Sequence, residues 1–262
     1  GAYWLGRSYE KLNDIESSEK WFKEASKYLT TYYGQLAFIK IYPNKDFYLD
    51  REMMRSGDIE KKVFAENELT KLVVLLHEIN KTKYAKDILK HLATSNINQG
   101  SEILAGDLAV SIGRYDFAIQ IAKQASYEKR FHYTLNFPII DIPLKINNKR
   151  MPSPELVLAI IRQESEFDSR AHSYVGARGM MQIMTYTARL VAKRAKLPYS
   201  KKKLTSDPNY NIKLGSYYIA ELLEQYEGSY PFSIAAYNAG PKRVSYWNKI
   251  NGNPQKRKID YV

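Results

Sequence analysis

The chain has no cysteine, so disulfides and thiolate metal sites are excluded, although the absence does not fix a compartment. Histidine is nearly as scarce. His77, His91, His132 and His172 stand far apart, which argues against a His-based metal site. No apolar run approaches the roughly 18 residues that a membrane helix needs. Glycine and proline are few, 13 and 10 of 262 residues, while 44% of residues are apolar, so a disordered or low-complexity chain is excluded. Calcium-loop, phosphate-loop, zinc-protease and nucleophile-elbow patterns are all missing. The chain opens on Gly1 inside helix-like sequence, without the parts of a secretion signal, and so reads as an interior fragment.

What is abundant is positive charge, and it is unevenly placed. Residues 1–147 hold 21 Lys and Arg against 19 Asp and Glu, while residues 148–262 hold 19 against 9. The basic excess therefore belongs to the second segment and points to an anionic partner there. Nucleic acid, acidic lipid and a carboxylate-rich wall polymer all fit, as does a merely soluble basic surface.

The first segment is helical by its periodicity. A helix is predicted from about Tyr3 to Leu12, a turn at Asn13-Asp14, and a second helix capped by Ser17 or Ser18 with Trp21, Phe22, Ala25, Tyr28 and Leu29 at helical spacing. The set Leu5, Gly6, Tyr9, Phe22 and Ala25 resembles a tetratricopeptide-type repeat, with Ser18 where that repeat usually has Ala. A second such hairpin spans Leu104 to Ala125 about the turn Gly113-Arg114. Between them lie an apolar run from Glu68 to Ile79 and another from Tyr84 to Leu92, separated at Asn80-Lys81. Stacked hairpins of this kind build an α-superhelix, which usually offers a surface rather than chemistry. Phe137-Pro138, Ile142-Pro143 and Met151-Pro152 then interrupt helix, and the domain boundary is placed near 147–150.

Chemistry concentrates after that boundary. Ser153-Pro154-Glu155 is a helix start, with a capping Ser, Pro at the first helical position and an acid in the first turn. Val157, Ile160 and Ile161 lie seven, four and three residues before Glu164, so all four share one helix face. A carboxyl ending an apolar stripe is partly desolvated, which raises its pKa toward the range of a general acid. Spacing alone also fits an ordinary helix-end acid that reaches water or pairs with Arg162 or Arg170. Glu166 and Asp168 fall in the polar turn beyond. A Gly-punctuated loop follows (Gly176, Gly179), then a predicted helical stretch over Met180–Met184 in which Gln182 is the polar member. Asp207-Pro208 opens a helix with Leu214, Tyr217, Tyr218, Leu222 and Leu223 on its inner face. A short helix from Phe232 to Asn238 ends at Gly240-Pro241.

The succession Gln163-Glu164-Ser165, then Gly176-Ala177-Arg178-Gly179-Met180-Met181-Gln182-Ile183-Met184, then Ala236-Tyr237-Asn238-Ala239-Gly240-Pro241 resembles the signature of soluble lytic transglycosylases in order and spacing. These are bacterial peptidoglycan-cleaving enzymes with a goose-type-lysozyme-like catalytic domain. The resemblance is strong over about 150–262. It extends more loosely to the helical part, because large soluble members carry an α-superhelical domain ahead of the catalytic one. The implied fold is mainly α: a superhelical scaffold over 1–147, then a lysozyme-like α-helical (α+β) domain over 148–262.

Carried over position by position, the resemblance makes Glu164 the single catalytic acid and base. It places Ser173 near that Glu and the substrate, has Gln182 and Met184 line the cleft, and sets Tyr237 and Asn238 across from the Glu to hold the sugar. It implies no metal or cofactor, peptidoglycan strands as partner, contacts to other cell-wall proteins through the superhelix, no nucleic acid, and the periplasm of a Gram-negative bacterium. It further implies that Glu164 protonates the oxygen between N-acetylmuramic acid and N-acetylglucosamine and then takes the C6 hydroxyl proton, closing a 1,6-anhydro ring. A lysozyme-like hydrolase on the same scaffold and a non-catalytic wall-binding scaffold are the alternatives. Thr185 stands where the family often has Pro and is expected to cap the next helix, Tyr186 to about Ala195. The family continues past Asp260-Tyr261-Val262 with another cleft Glu and a closing helix, so the catalytic segment is expected to be incomplete at its C-terminus.

Overall fold

The computed structural model describes residues 1–46, 48–49, 57–94 and 99–252. The terminal Asp260-Tyr261-Val262 lies outside the described residues. The chain divides into two compact units, Gly1–Met53 and Met54–Val262. Residues on both sides of position 147 lie in the second.

In the first unit, α1 (Ala2–Lys11) and α2 (Ile15–Ser26) form the predicted hairpin, followed by α3 (Tyr32–Ile41). The chain reverses at Asn13, whose φ is +58°. The cap of α2 is Asp14, not Ser17 or Ser18: its carboxylate accepts the Ser17 N–H at 3.0 Å. Ser18 is instead buried at the helix crossing, where its hydroxyl donates to the Gly6 carbonyl at 2.9 Å. That bond explains how Ser serves where the repeat usually has Ala. Gly6 is required by the close approach, since a Cβ there would sit 2.9 Å from the Phe22 ring. Leu5 is exposed because the packing face of α1 runs through Tyr3 and Gly6, and Tyr28 is exposed beyond the end of α2, which stops at Ser26.

The second unit begins with α4 (Asp58–Glu66), α5 (Glu68–Glu78), α6 (Ala85–Thr94), α7 (Gln99–Ser111) and α8 (Tyr115–Tyr127), then the single turn α9 (Tyr133–Asn136). Consecutive helices pack on one another around Val73, Leu89, Ala105, Ala109, Ala118 and Ala122. Small residues at these crossings bring the helix axes close. The turns fall where the sequence placed them, at Asn80 (φ +56°) and Gly113 (φ +71°). A hairpin of β1 (Lys145–Ile146) and β2 (Lys149–Arg150) follows, turning through Asn147, and its Ile146 packs with Met151 on Ala220. Two-residue strands are too short to show alternation in sequence.

The remaining elements are α10 (Pro154–Ser165), β3 (Ala177–Arg178), β4 (Ile183–Met184), α11 (Thr185–Arg194), the short α12 (Lys203–Ser206), α13 (Pro208–Gln225), α14 (Tyr230–Ala239) and α15 (Pro241–Asn251). The apolar face of α10 (Leu156, Val157, Ile160, Ile161) packs against Ile212, Ile219 and Leu222 of α13 and Phe232 and Ala236 of α14. Ile119 of α8 belongs to the same core. Through this core, and through Arg162, which donates to Asn136 of α9, α10 is joined to the helices before it.

Two expectations are corrected here. Met180–Met184 is not helical: it is a turn leading into β4, which pairs antiparallel with β3 (Ala177 opposite Met184, Arg178 opposite Ile183). Gln182 has φ +42°, a left-handed conformation through which a right-handed helix cannot pass. Thr185 is the first residue of α11 rather than its cap; Met184 holds the cap position and makes no side-chain cap bond. Among the described residues, no helix is long and apolar enough to cross a membrane.

Candidate functional site

The backbone of residues 177–184 is the frame on which the site is assembled. Asn211, fully buried on α13, fixes its middle. Its carbonyl oxygen accepts the Met181 N–H at 2.9 Å, and its amide donates to the Arg178 and Leu204 carbonyls, each at 2.9 Å. Gly179 makes the turn with φ +72°; a Cβ there would lie 2.1 Å from the Leu204 carbonyl oxygen. Only glycine meets both the dihedral and the space. The Met180 carbonyl then accepts the Ser165 hydroxyl at 2.8 Å, and the Met181 carbonyl accepts the Tyr237 hydroxyl at 2.7 Å. Consecutive carbonyls thus hold the last turns of α10 and α14.

Glu164 sits beside Ser165 in the last turn of α10, half-buried at the end of its apolar face. Neither Arg162 nor Arg170 pairs with it. Arg162 donates to the backbone and side-chain oxygens of Asn136 at 2.9 and 2.7 Å and lies 3.5 Å from Glu166, while Arg170 reaches Thr82. Among the described residues, Glu164 has no hydrogen-bond or ion-pair partner. Burial, uncompensated by any cation, pushes its carboxyl pKa upward. Tyr237 is the neighbouring polar group. Burial first, then the Glu164 charge and Tyr218, push its hydroxyl far above the usual phenol range. It remains a neutral hydrogen-bonding group at any working pH. Its ring also contacts that of Tyr218 at 5.4 Å.

The end of α10 is held from outside the site. Glu166 and Phe167 both have positive φ, +52° and +67°, which is uncommon for residues with a side chain. Glu166 is secured by Lys123 of α8 at 2.6 Å, and Phe167 is buried in the core. These contacts direct the chain away immediately after Glu164.

The Ser173 hydroxyl accepts the Ala177 N–H at 2.9 Å, and Ala177 pairs with Met184 across the small hairpin, so Ser173 and Met184 share one corner. The Gln182 side chain donates to the Gly179 carbonyl at 2.9 Å, bracing the turn. Met184 and Asn238 are exposed. The structure brings Glu164 and Tyr237 near one another, because Ser165, next to Glu164, docks on the Met180 carbonyl and Tyr237 on that of Met181. Asn211 and Ser165 were not anticipated. Asn211 had a signal: it lies three residues before Leu214 on the apolar face of its helix, where a polar side chain needs buried partners. Tyr237→Phe removes one bond to a carbonyl and is expected to cost about 1 kcal/mol of stability, measured by urea unfolding.

Residues 141–260 match the family model described as the Transglycosylase SLT domain. The soluble lytic murein transglycosylase of Escherichia coli K12 is 41% identical over 102 residues, which is 38% of this chain and 16% of that protein. The chain thus spans about one sixth of the length of that curated relative. Among solved structures, the 70 kDa soluble lytic transglycosylase from Escherichia coli matches with a TM-score of 0.68 at 23% identity, covering 95% of this chain and 39% of that one. An inactive glutamate-to-glutamine mutant of the lytic transglycosylase Slt from Pseudomonas aeruginosa matches with a TM-score of 0.73 at 24% identity, covering 95% and 40%. At that identity the structural likeness speaks for the fold.

Proposed function

We propose that this chain, whose residues 141–260 match a transglycosylase SLT domain, carries the catalytic part of a peptidoglycan lytic transglycosylase over residues 148–262. The observation that carries the reading is the Glu164 carboxyl: half-buried, unpartnered and with its pKa raised by burial, beside the neutral hydroxyl of Tyr237. Such a group holds its proton long enough to give it away. Once it has done so, nothing nearby neutralises the resulting carboxylate, which makes it a competent base.

In this reaction Glu164 donates its proton to the oxygen between N-acetylmuramic acid and N-acetylglucosamine as the C1–O bond breaks. The muramoyl acetamido oxygen covers the developing charge at C1. Glu164, now ionised, takes the proton of the C6 hydroxyl, and O6 bonds to C1 as the acetamido oxygen leaves. The product is a 1,6-anhydro ring, and Glu164 ends as it began. Ser173, Gln182, Met184, Tyr237 and Asn238 contribute the walls, with Tyr237 and Asn238 holding the sugar. The inactive glutamate-to-glutamine mutant of the Pseudomonas protein is the behaviour expected of an enzyme that depends on one such residue. The soluble lytic murein transglycosylases that it resembles come from Escherichia coli and Haemophilus influenzae, and we place the protein in the periplasm of a Gram-negative bacterium, with the preceding helices as an α-superhelix open to other wall proteins.

Incubation with purified sacculi tests the enzyme reading. Soluble glycan fragments are expected from the wild-type chain and none from a no-protein control. Binding to sacculi without release of fragments would leave a wall-binding scaffold and end the proposal.

A further inference from the structure

The last turn of α10 carries Glu164 on one side and a pair of charged residues on the other. Two positions on a helix are about 200° of turn, so Arg162 faces away from Glu164. Glu166 closes the turn on the Arg162 side, 3.5 Å from its guanidinium. Neither residue is loose. Arg162 donates to the Asn136 carbonyl at 2.9 Å and to the Asn136 side-chain oxygen at 2.7 Å, which pins it to α9. Burial lowers its pKa, and the Glu166 charge opposes that shift. Glu166 in turn accepts the Lys123 ammonium of α8 at 2.6 Å. The same helix supplies Tyr115, whose ring lies 6.1 Å from that of the buried Phe167, and Ile119, which shares a core with α10. The far side of the turn is thus held by α8 and α9.

This hold works against a local preference. Glu166 and Phe167 keep left-handed backbone conformations, φ +52° and +67°, which residues with a side chain seldom adopt. Such strain persists only where the surroundings over-determine it. Phe167 is fixed by burial. The Glu166 side chain is 29% exposed, so its two cations, Lys123 and Arg162, are what fix it. Released from Lys123, residue 166 is drawn back toward the right-handed region, and the last turn of α10 loosens. Glu164 feels that directly. Among the described residues its carboxyl has no hydrogen-bond or ion-pair partner, so the backbone beneath it is what aims it. A misplacement of about 1 Å at a reacting group costs on the order of 10²-fold in rate.

We propose that Lys123, Glu166 and Arg162 are positioning residues for Glu164, through which the helices ahead of the proposed catalytic segment aim its carboxyl. That Glu164 is the reacting group rests on the reading above; the anchoring rests on these contacts alone. Lys123→Met in the whole chain tests it through two readouts. The first is turnover of soluble glycan strands. Here kcat is expected to fall at least about tenfold with KM little changed. Lys123→Arg, which can remake the ion pair, is expected to restore it. A half-exposed ion pair adds little stability, so the melting temperature is expected to stay near that of wild type. The second readout is titration of the Glu164 carboxyl, followed by carbon-13 NMR. The charged groups behind it are Lys123, Glu166 and Arg162, and Tyr237 stands neutral beside it. Loss of a cation would by charge alone raise the Glu164 pKa, whereas a loosened turn lets the carboxyl reach water and lowers it. A fall toward the ordinary carboxylate range is expected. An unchanged or raised pKa, an unchanged kcat in an active chain, a loss accounted for by unfolding, or one that Lys123→Arg does not restore would each overturn the proposal. Should the Glu164 pKa fall in Lys123→Met while wild type turns over no strand, the anchoring stands and the enzyme reading fails.

Discussion

Replacing Glu164 by Gln is expected to abolish fragment release from sacculi, by roughly 10³-fold or more, while raising the stability of the fold. The first effect follows from a single group serving both proton transfers, each of the kind that contributes about 10²–10⁴-fold. Glutamine keeps the shape and can do neither. The second effect follows from linkage. The folded-state pKa of Glu164 is raised by burial, so between the ordinary carboxylate range and that higher value the folded chain binds more protons than the unfolded one. Stability is therefore lost as pH rises through this window. Glutamine has no charge to desolvate, so the variant is expected to melt above wild type near neutral pH, with the gap closing below the ordinary carboxylate range. Thermal unfolding of both forms across pH checks this, and equal melting at every pH would count against a buried, uncompensated carboxyl. Turnover, which needs the protonated acid, is expected to fall on the alkaline side of the same pKa.

Asn211→Leu is expected to destabilise the fold strongly although it replaces none of the residues that the proposed reaction uses. Leucine is close in size but abandons the Met181 N–H and the Arg178 and Leu204 carbonyls at a fully buried position. At about 1–3 kcal/mol for each orphaned group, with partial relaxation, a loss of roughly 4 kcal/mol follows. For a unit of this size that lowers the melting temperature by roughly 10 °C. Activity is expected to fall even where the protein stays folded, because the Met180 and Met181 carbonyls that anchor Ser165 and Tyr237 lose their fixed frame. Asn211→Asp keeps the acceptor for Met181 and loses both donated bonds, so its loss of stability is expected to be large as well. A melting temperature unchanged by Asn211→Leu would show that 177–184 is held by other means.

These outcomes bear on how far the amino-acid sequence speaks for itself. Helices with local punctuation were legible. Asn80, Gly113 and Ser153-Pro154 mark ends by backbone preferences that act within a few residues. The apolar stripe leading to Glu164 was equally legible, since i−3, i−4 and i−7 spacing is a local property of α10. Met180–Met184 was misread because its conformation is set at long range. Asn211, thirty residues away, captures its backbone, and the left-handed Gln182 has no sequence signal comparable to a glycine. The cap of α2 was missed because several adjacent polar residues compete for it, and that of α11 because strand pairing with Ala177 holds Met184 extended, so the helix starts at Thr185 without a side-chain cap. Of the site, Glu164 and Tyr237 could be nominated from the chain alone; the framework that unites them could not.

In the proposed reaction Glu164 acts as acid and then as base on one sugar, with no water entering the product. Mass analysis of the fragments released from sacculi tests this most directly, with wild type beside Glu164→Gln. The account predicts glycan ends one water lighter than hydrolysed ends from the wild-type chain and no fragments from the variant. Ends carrying the full water, or undiminished release by Glu164→Gln, would contradict it.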